Sequence, residues 1–536
     1  MPSPQLIVLL SGAVSSGKTT LGTKLVQRFQ FELIKTKAVL QSFFPDSANE
    51  RGALQDHGTY LDQKTHGTWV RDEIVARVNK TSPKYVLVDA VRIEKQVDAI
   101  RKAYGPRVFH IHLDAPTDVL TTRYRRRKIE GFKEFPAYKE VGRNKTENRI
   151  SRMAEIADVV IKTDRCTEED VFVRAASHLG LYGAEHEPLV DVVIGGEFGS
   201  EGKGHIVSFL AREYDLLIRV GGPNAGHKVF RVPEPYTHHQ LPSGTLFSEA
   251  KLLIGPGAIL NVPALLREIA DCGVSRERLT IDPQAMIIEV EDIKAEKKLV
   301  QGIGSTGQGV GSATARRIWG RAGKKIRLAK DVPELKPYTA SSAAEQLEQA
   351  YATRRKILLE GTQGTGLSLF HGPYPYVTSR DTTVAGLLSE TGIAPRRVRK
   401  IVMVCRSYPI RVQNPSRGTS GPLSQEISWK VIAERSGIPL EELRSLEKTS
   451  TTNRKRRVGE FEWDLLRKAA SLNGPTDIAL TFADYLGSIN TQARRFEQLT
   501  SETIRFTEEV ERVSGAPVSL ISTRFHWRSI IDRRSW

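Results

Sequence analysis

The feature that most constrains this chain is a strand-like run, a glycine-rich loop and a helix-like run, which follow one another in residues 6–29. The loop "GAVSSGKT" places Gly12, Gly17, Lys18 and Thr19 at the spacing of a phosphate loop. In such a loop, backbone N–H groups wrap a phosphate, the lysine neutralises the outer phosphates, and the threonine hydroxyl can hold Mg²⁺. The following helix adds the positive end of its dipole. The first part of the chain is therefore predicted to bind a nucleotide phosphate.

Further buried strands follow this loop, with helical stretches between them, which predicts a series of βαβ units and a parallel sheet. The predicted strands are "YVLVDA" (85–90), "RVFHIHLDA" (107–115) and "DVVIKT" (158–163). A turn-rich passage, "LYGAEHEP" (181–188), precedes a new strand series that begins with "LVDVVIGG". We therefore predict two α/β domains, at residues 1–183 and 188–536.

The residues downstream of the first loop favour a kinase over a GTPase. Asp89 ends a predicted strand, where it could face Mg²⁺ or an acceptor, and Arg92 follows closely. The stretch "TTRYRRRKIEGF" is typical of a lid over a transferring phosphate, although each of its arginines also fits a solvated helix face; these arginines are Arg123, Arg125, Arg126 and Arg127. On these motifs, residues 1–180 resemble the nucleoside and nucleoside-monophosphate kinases, most nearly those that act on deoxynucleoside monophosphates.

Composition excludes several classes of protein. The net charge of +17 is compatible with nucleic-acid binding, but no helix-turn-helix, RRM, KH or zinc pattern accompanies it, so we do not expect a nucleic-acid partner. No run of 18 apolar residues occurs, so no membrane partner is expected. The start of the chain has no signal-peptide pattern, and three widely spaced cysteines fit a reducing cytoplasm. We therefore predict a cytoplasmic protein.

A second glycine-rich loop lies about 180 residues after the first, and ordered motifs surround it. The motifs are "GGEFGSEGKGHIV" (195–207), "GGPNAGH" (221–227), "LPSGTL" (241–246), "GIGSTGQGVG" (302–311), "LEGTQGTGLSLFHGPYPYVTS" (359–379) and "TSTTNRKRRVG" (449–459). Residues 190–536 resemble the adenylosuccinate synthetases in the identity and order of these motifs. The resemblance implies a ligase that phosphorylates a purine 6-oxygen with a nucleoside triphosphate and then displaces the phosphate with the amino group of L-aspartate.

The resemblance also implies a role for individual residues. Lys203 and the amides of Gly202 and Gly204 would bind the transferred phosphate, and His227 would act as general acid at the 6-oxygen. Ser200 and Gln363 belong to the same catalytic group. The other implied residues are Asn224, Thr306, Arg321 and Thr378 for the substrate nucleotide, the Gly226 carbonyl for Mg²⁺, and Thr451, Thr452, Arg454 and Arg456 for the aspartate carboxylates. A homodimer is also implied.

Ser200 departs from the family pattern, in which an aspartate removes the N1 proton of IMP. Serine has no pKa in range and cannot be that base. Phage aminodeoxyadenylosuccinate synthetases, which accept dGMP, depart in the same way, and a small hydroxyl leaves room for the guanine 2-amino group. We therefore predict GMP or dGMP as the substrate. An ordinary synthetase acting on IMP or dIMP is the alternative.

The residues expected to read the triphosphate base also depart from the family. Asp484 remains in "LTFADYLG", but Phe482 stands where the family has lysine, and "ISTRFHW" (521–527) replaces a Gly-Pro turn. Two aromatic residues could stack on any purine. We therefore predict ATP or dATP as the donor, with GTP as the alternative. The rival to a bifunctional ligase and kinase is a non-catalytic nucleotide sensor or nucleic-acid-associated switch.

Overall fold

A computed structural model describes residues 4–45, 50–126, 133–141, 150–182, 187–323, 326–449 and 453–536. The chain divides into two compact units, Met1–Ala184 and Glu185–Trp536, which are described separately. Both have the α/β fold that the sequence predicts. In the described part of the chain, no helix has the length and apolar character needed to cross a bilayer.

The first unit is a five-stranded parallel sheet with the strand order β2-β3-β1-β4-β5. Its strands are β1 (Leu6–Gly12), β2 (Glu32–Lys35), β3 (Tyr85–Asp89), β4 (Val108–Asp114) and β5 (Val159–Lys162). Its helices are α1 (Lys18–Phe29), α2 (Thr36–Phe43), α3 (Arg51–Thr65), α4 (Trp69–Thr81), α5 (Glu94–Tyr104), α6 (Thr117–Arg126), α7 (Tyr138–Val141) and α8 (Glu168–His178). The predicted strands are confirmed; the short edge strand β2 was not predicted.

The side chains of β1 fill two hydrophobic cores because successive residues of a strand point to opposite faces of the sheet. Ile7 and Leu9 pack into one core, and Val8 and Leu10 pack into the other. All four are fully buried. The central strand is therefore covered on both faces, and only its carboxyl end, where the phosphate loop begins, is left for a ligand.

The second unit has a nine-stranded sheet with the order β12-β10-β7-β14-β6-β15-β19-β20-β21, in which only β21 is antiparallel to its neighbour. Its main strands are β6 (Val190–Gly195), β7 (Leu216–Arg219), β10 (Lys251–Ile254), β12 (Leu279–Ile281), β14 (Ile357–Glu360), β15 (Val398–Arg406), β19 (Asp477–Thr481), β20 (Val518–Ser522) and β21 (Ile530–Asp532). The small sheets contain β8 (His227–Val229), β9 (Tyr236–His238), β11 (Ile259–Leu260), β13 (Met286–Ile287), β16 (Ile410–Val412), β17 (Glu426–Ile427) and β18 (Arg456–Gly459).

Helices of the second unit cover both faces of its large sheet. They are α9 (Lys203–Leu210), α10 (Val262–Asp271), α11 (Val290–Ala295), α12 (Lys297–Ile303), α13 (Val310–Trp319), α14 (Ala343–Ala352), α15 (Val384–Thr391), α16 (Trp429–Ser436), α17 (Leu440–Leu446), α18 (Trp463–Asn473) and α19 (Ser501–Ser514). The carboxyl ends of the parallel strands β6, β14, β15 and β19 meet at one edge of the sheet. Ligands of open α/β sheets bind at this edge.

Candidate active site

The loop between β6 and α9 is held in shape by a buried carboxylate. Glu201 accepts hydrogen bonds from the backbone N–H groups of Gly199 (2.7 Å) and Glu197 (3.2 Å), and its other oxygen contacts Lys203 Nζ at 2.5 Å. Gly202 precedes the helix with a φ of 89° and provides no side-chain cap. The first N–H groups of α9 are therefore left without a capping side chain at the end of a helix dipole, where a phosphate would bind.

Ser200 lies in this loop with a φ of 57° and an exposed side chain. Arg456 Nη2 donates to its hydroxyl oxygen at 3.2 Å, and Arg406 Nη1 donates to its carbonyl oxygen at 3.4 Å. Two guanidinium groups therefore surround the position at which the family carries an aspartate. The sequence indicated Arg456 as a site residue but gave no signal for Arg406.

A second buried carboxylate orients those two arginines. Glu447 accepts from Arg406 Nη2 (2.9 Å) and Arg456 Nη1 (2.8 Å), and from the Tyr485 hydroxyl (2.7 Å). Burial raises the pKa of Glu447, but the charges and hydrogen bonds of the two arginines outweigh it and bring that pKa to about 2. Glu447 is therefore ionised and fixes the arginine side chains beside Ser200.

His227 contacts a third buried carboxylate at the end of β14. Its Nδ1 lies against Glu360 Oε1, and Glu360 also accepts from the Ser243 backbone N–H at 2.7 Å. Burial and the nearby Arg219 charge lower the pKa of His227 to about 4, against the opposing effect of Glu360. Glu360 holds the ring orientation, so that Nε2 is the nitrogen left for a substrate.

Two amide side chains at this edge have polar atoms without partners among the described residues. Gln363, which follows β14 with a φ of 58°, has both its Oε1 and Nε2 buried in this way. Asn224 has a buried Oδ1 of the same kind. Buried polar atoms are normally hydrogen-bonded, so these atoms are suited to a bound ligand.

The remaining sequence-predicted residues are only partly brought together. Arg454 donates to the carbonyls of Gly304 (3.3 Å) and Ser305 (3.1 Å), which joins it to the loop of Thr306. Thr378 hydrogen-bonds the Leu367 carbonyl through its backbone. Arg321 is exposed and donates to the Ile318 carbonyl, and no hydrogen bond joins it to any of the other predicted site residues that the structure describes. Thr451 and Thr452 lie outside the described residues.

The segment after β19 adjoins the second phosphate loop. The Thr481 hydroxyl donates to the Glu201 carbonyl at 2.6 Å. The Phe482 ring lies 4.0 Å from the Arg406 guanidinium and 5.2 Å from the Tyr485 ring centroid. Burial raises the pKa of Asp484 to about 7, and its Oδ1 has no partner in the described part of the chain. Asp484, which the sequence predicts to bind the triphosphate base, therefore has a buried carboxyl oxygen that is available for a hydrogen bond to a ligand.

Aromatic residues after β20 lie close to helix α9, which follows the second phosphate loop. The Phe525 ring centroid lies 5.3 Å from that of His205, which is on α9, and His526 lies 4.5 Å from Phe230. Phe525 and Trp527 are exposed. The stacking of such aromatic residues on the triphosphate base stays a prediction.

In the first unit, Lys18 Nζ donates to the carbonyls of Gly12 (2.7 Å) and Ala13 (2.8 Å) across the phosphate loop. Thr19 is exposed at the start of α1. Asp89 is the last residue of the neighbouring strand β3, and Arg92 follows it. The segment between them is joined to β1 by the hydrogen bond from Val91 N to Leu10 O. These predicted residues therefore lie at one sheet edge.

The predicted arginine lid is only partly described. Arg123 donates to the hydroxyl (2.9 Å) and carbonyl (2.8 Å) of Thr163 at the end of β5. Arg125 and Arg126 are exposed, and Arg127 lies outside the described residues. Arg123 thus ties α6 to β5, a structural role that the sequence did not predict.

The adenylosuccinate synthetase family model matches residues 192–331 and 324–491. The chain belongs to the adenylosuccinate synthetase family. The synthetase of Thermococcus onnurineus is 37% identical over 352 residues, which are 64% of this chain and 98% of that protein. The synthetase of Archaeoglobus fulgidus is 38% identical over 349 residues, again 64% of this chain and 98% of that protein. The second unit is thus a ligase of the type that forms C–N bonds.

Two solved structures share the fold of this synthetase unit. The fully ligated adenylosuccinate synthetase of Plasmodium falciparum has a TM-score of 0.54 and 21% identity, and covers 65% of this chain and 100% of its own. The succinoaminodeoxyadenylate synthetase of cyanophage S-2L, solved with dGMP and with dATP as an energy donor, has a TM-score of 0.54 and 25% identity. It covers 65% of this chain and 95% of its own.

Proposed function

We propose that the second unit joins L-aspartate to the 6-position of a guanine nucleoside monophosphate, GMP or dGMP, to give a 2-amino-(deoxy)adenylosuccinate. The observation that carries this proposal is Ser200, whose side chain is exposed between two arginines in a site that otherwise keeps its phosphate loop, histidine and glutamine. The cyanophage relative with dGMP supports it. The alternative substrate is IMP or dIMP.

The chemistry follows from the positions of these groups. The purine 6-oxygen forms a bond to the γ-phosphorus of the triphosphate, the bond from that phosphorus to the β,γ-bridging oxygen breaks, and the nucleoside diphosphate leaves. The purine N1 proton passes to water, since Ser200 is no base, and Lys203 with the first amides of α9 neutralises the transferred phosphate. In its protonated form His227 donates from Nε2 to the 6-oxygen and stabilises its charge, while Nδ1 donates to Glu360. The aspartate amino group then displaces the phosphate at C6. Arg454 and Arg456 hold the aspartate carboxylates, for which forked guanidinium groups are suited.

The residues fit Mg²⁺ bound through phosphates, carbonyls and water. In the described part of the chain, no group of three or more acidic, histidine or cysteine side chains could hold a metal ion. Mg²⁺ takes many of its ligands from phosphate and water, so the Gly226 carbonyl and the Asn224 Oδ1 would be sufficient protein ligands in the synthetase, and the Thr19 hydroxyl in the first unit. When bound, the ion neutralises charge that develops on the phosphates.

ATP or dATP is the proposed donor for the synthetase. Phe482 replaces the cation expected beside Asp484, and its ring is already packed against Arg406. Asp484 lies in a buried environment that favours the neutral carboxyl. A neutral carboxyl donates one hydrogen bond and accepts another, which matches the N1 and 6-amino group of adenine.

The first unit is proposed to transfer a phosphoryl group from ATP. Its phosphate loop follows the central strand of a parallel sheet, Asp89 ends the adjacent strand, and Arg92 follows that strand. The sequence favours a (deoxy)nucleoside monophosphate as the acceptor. The fusion would place two steps of nucleotide activation on one chain. A homodimer stays a prediction, which sedimentation of the full chain tests.

Mass spectrometry of products from the full chain tests the proposed ligase. The chain is incubated with ATP, Mg²⁺ and a panel of monophosphates, with and without aspartate. We expect a succinylated product and phosphate release from dGMP or GMP, dependent on aspartate and faster than from IMP. Turnover of IMP with none of either guanine nucleotide would contradict the substrate, and no aspartate-dependent product would support the nucleotide-sensing rival.

A further inference from the structure

A cavity of about 650 Å³ opens on the second unit and is lined by residues of α16, α18 and α19 and of the segment that joins β18 to α18. Its volume lies within the range of small-molecule sites, about 300–1,000 Å³. None of the described residues predicted for the two nucleotides or for aspartate lines it. Ser407 does line it, and the Ser407 hydroxyl donates to the Phe482 carbonyl at 2.7 Å. The cavity is therefore distinct from the substrate sites and adjoins the segment expected to bind the triphosphate base.

One wall of the cavity consists of three aromatic rings, those of Phe461, Trp463 and Phe506. The centroid of Phe461 lies 4.7 Å from that of Trp463 and 5.0 Å from that of Phe506, and the last two are 5.4 Å apart. All three rings pack against the large hydrophobic core of the unit and are partly exposed. Because the face of an aromatic ring has a negative electrostatic potential, this wall attracts cations. The core holds the wall in place before a ligand binds.

Carboxylates dominate the charge of the same cavity. Its lining has four acidic residues and one basic residue, in a chain whose net charge is +17. The basic residue, Arg435, forms an ion pair with Glu460, with Nη1 at 2.8 Å from Oε1. In the described part of the chain, the other three acids have no partner in an ion pair; they are Glu462, Asp464 and Glu502. The lining therefore attracts positive charge, although the chain as a whole repels it.

Glu462 is the most buried of these three acids. Its Oε1 accepts from the Ser424 backbone N–H at 2.9 Å, and its Oε2 has no hydrogen bond to a described residue. Burial and the charge of Asp464 raise the pKa of Glu462, against the Ser424 hydrogen bond and the charge of Arg411. A cation beside Oε2 would stabilise the carboxylate and relieve its repulsion by Asp464. One oxygen of Glu462 is thus held in place, and the other is left for an N–H group of a ligand.

We propose that this cavity binds a small organic cation with two or more amino groups, of the diamine or polyamine class. The carboxylates are too dispersed to coordinate one metal ion together, since no group of three or more acidic, histidine or cysteine side chains among the described residues could do so. A flexible polyamine reaches separate carboxylates with separate N–H groups. Its ammonium groups pair with Glu462 and Glu502, and its chain lies on the rings of Trp463 and Phe506. This site is independent of the proposed ligase and kinase activities.

Isothermal titration calorimetry of the full chain tests the site, with spermidine as the probe and no nucleotide present. We expect saturable binding with a Kd below about 1 mM, and none of 1,4-butanediol, which has no charge. Glu462→Gln should weaken spermidine binding by about 10- to 100-fold, as expected for a lost hydrogen bond between charged groups, and the exposed Glu502→Gln by at least about 5-fold. Glu508→Gln is the matched control and should bind as the unaltered chain does, since Glu508 is an exposed acid of the same helix, α19, outside the cavity.

A pair of variants at Trp463 tests the aromatic wall. Trp463→Leu keeps an apolar side chain but removes the ring, and should weaken spermidine binding by about 3- to 10-fold, whereas Trp463→Phe keeps a ring and should bind more tightly than Trp463→Leu. Because Glu502 is exposed, Glu502→Gln tests the site even if a change at Glu462 or Trp463 prevents folding. The proposal would be overturned by an absence of saturable binding, by displacement of spermidine by an equal concentration of Mg²⁺, or by the same affinity in Glu502→Gln and Glu508→Gln.

Discussion

Arg456 binds Ser200 with one nitrogen and Glu447 with another: Nη2 lies 3.2 Å from the serine hydroxyl and Nη1 lies 2.8 Å from the carboxylate. The arginine predicted to hold aspartate is therefore attached to the residue predicted to select the purine. A change at position 200 should therefore alter the binding of both aspartate and the purine nucleotide. Kinetic tests of Ser200 variants should measure the KM for each of these two substrates.

Ser200→Asp should convert the preference of the synthetase from guanine to hypoxanthine. The new carboxylate would pair with Arg456, restore a base for the purine N1 proton, and fill the space that serine leaves for the 2-amino group of guanine. We expect kcat/KM for IMP relative to dGMP to rise by at least about 10-fold, or 1.4 kcal/mol. Ser200→Ala is the control, because it removes the hydrogen bond without adding charge and should still accept dGMP. Equal ratios in all three proteins would contradict the role of Ser200.

Glu360→Gln should reduce synthetase turnover through His227. The carboxylate holds the ring and raises the pKa of His227 against the effect of burial, so the variant's histidine should be protonated only at lower pH. His227→Ala should lower kcat by about 10²- to 10⁴-fold, and Glu360→Gln by less. The pH–rate profile separates this role from a purely structural one. We expect its limb governed by His227 to shift to lower pH in Glu360→Gln, whereas loss of stability alone would leave that limb in place.

The choice between ATP and GTP should depend on pH through Asp484. Burial and Glu447 raise the pKa of Asp484 while Arg406 lowers it, to a result of about 7. Below that pH the carboxyl is neutral and pairs with adenine; above it, the carboxylate accepts from guanine N1–H and its 2-amino group. The ATP-to-GTP rate ratio should therefore fall as pH rises from about 6 to about 8.

The control for this titration is Asp484→Asn. Its amide does not titrate, so the ATP-to-GTP rate ratio should no longer change between about pH 6 and pH 8. A strong preference for GTP in the unaltered chain throughout the same range would show that Phe482 does not disfavour guanine.

The two phosphate loops should be separable by mutation. Lys18→Ala removes the cation of the first loop and should abolish transfer to the acceptor, with aspartate-dependent turnover nearly unchanged. Lys203→Ala should have the opposite pattern, because Lys203 lies in the loop of the second unit. Both activities are measured in the same preparations of the full chain. If Lys18→Ala also stopped succinylation, the units would not act independently.

The fold and the loop residues were predictable because their signals are local. Gly12 to Thr19 and Gly199 to Gly204 are short spacings between a strand and a helix, and β1, β3, β4 and β5 are runs of apolar residues. Such short patterns can be recognised in the sequence because they do not depend on contacts with residues distant in the chain. From these patterns we predicted two sheets, the parallel direction of their strands, and binding sites at the carboxyl ends of the strands.

The supporting carboxylates were not predictable because their partners are distant in the sequence. Glu360 lies 133 residues from His227, and Glu447 lies 41 residues from Arg406. Glu462 lies 38 residues from Ser424, and only the packing of α16, α18 and α19 reveals the cavity that both residues line. No spacing rule identifies such pairs, since only the packed sheet brings them together.

The backbone of Ser200 limits the residues through which a serine could have replaced an aspartate at this position. At a φ of 57° the position is left-handed, a conformation that glycine, asparagine and aspartate adopt more readily than other residues. An aspartate codon becomes an AGU or AGC serine codon in two single-nucleotide changes, and the intermediate on either route encodes asparagine or glycine. Both intermediates suit the loop. The genetic code therefore offers a path from aspartate to serine along which every intermediate residue suits the conformation of the phosphate-binding loop.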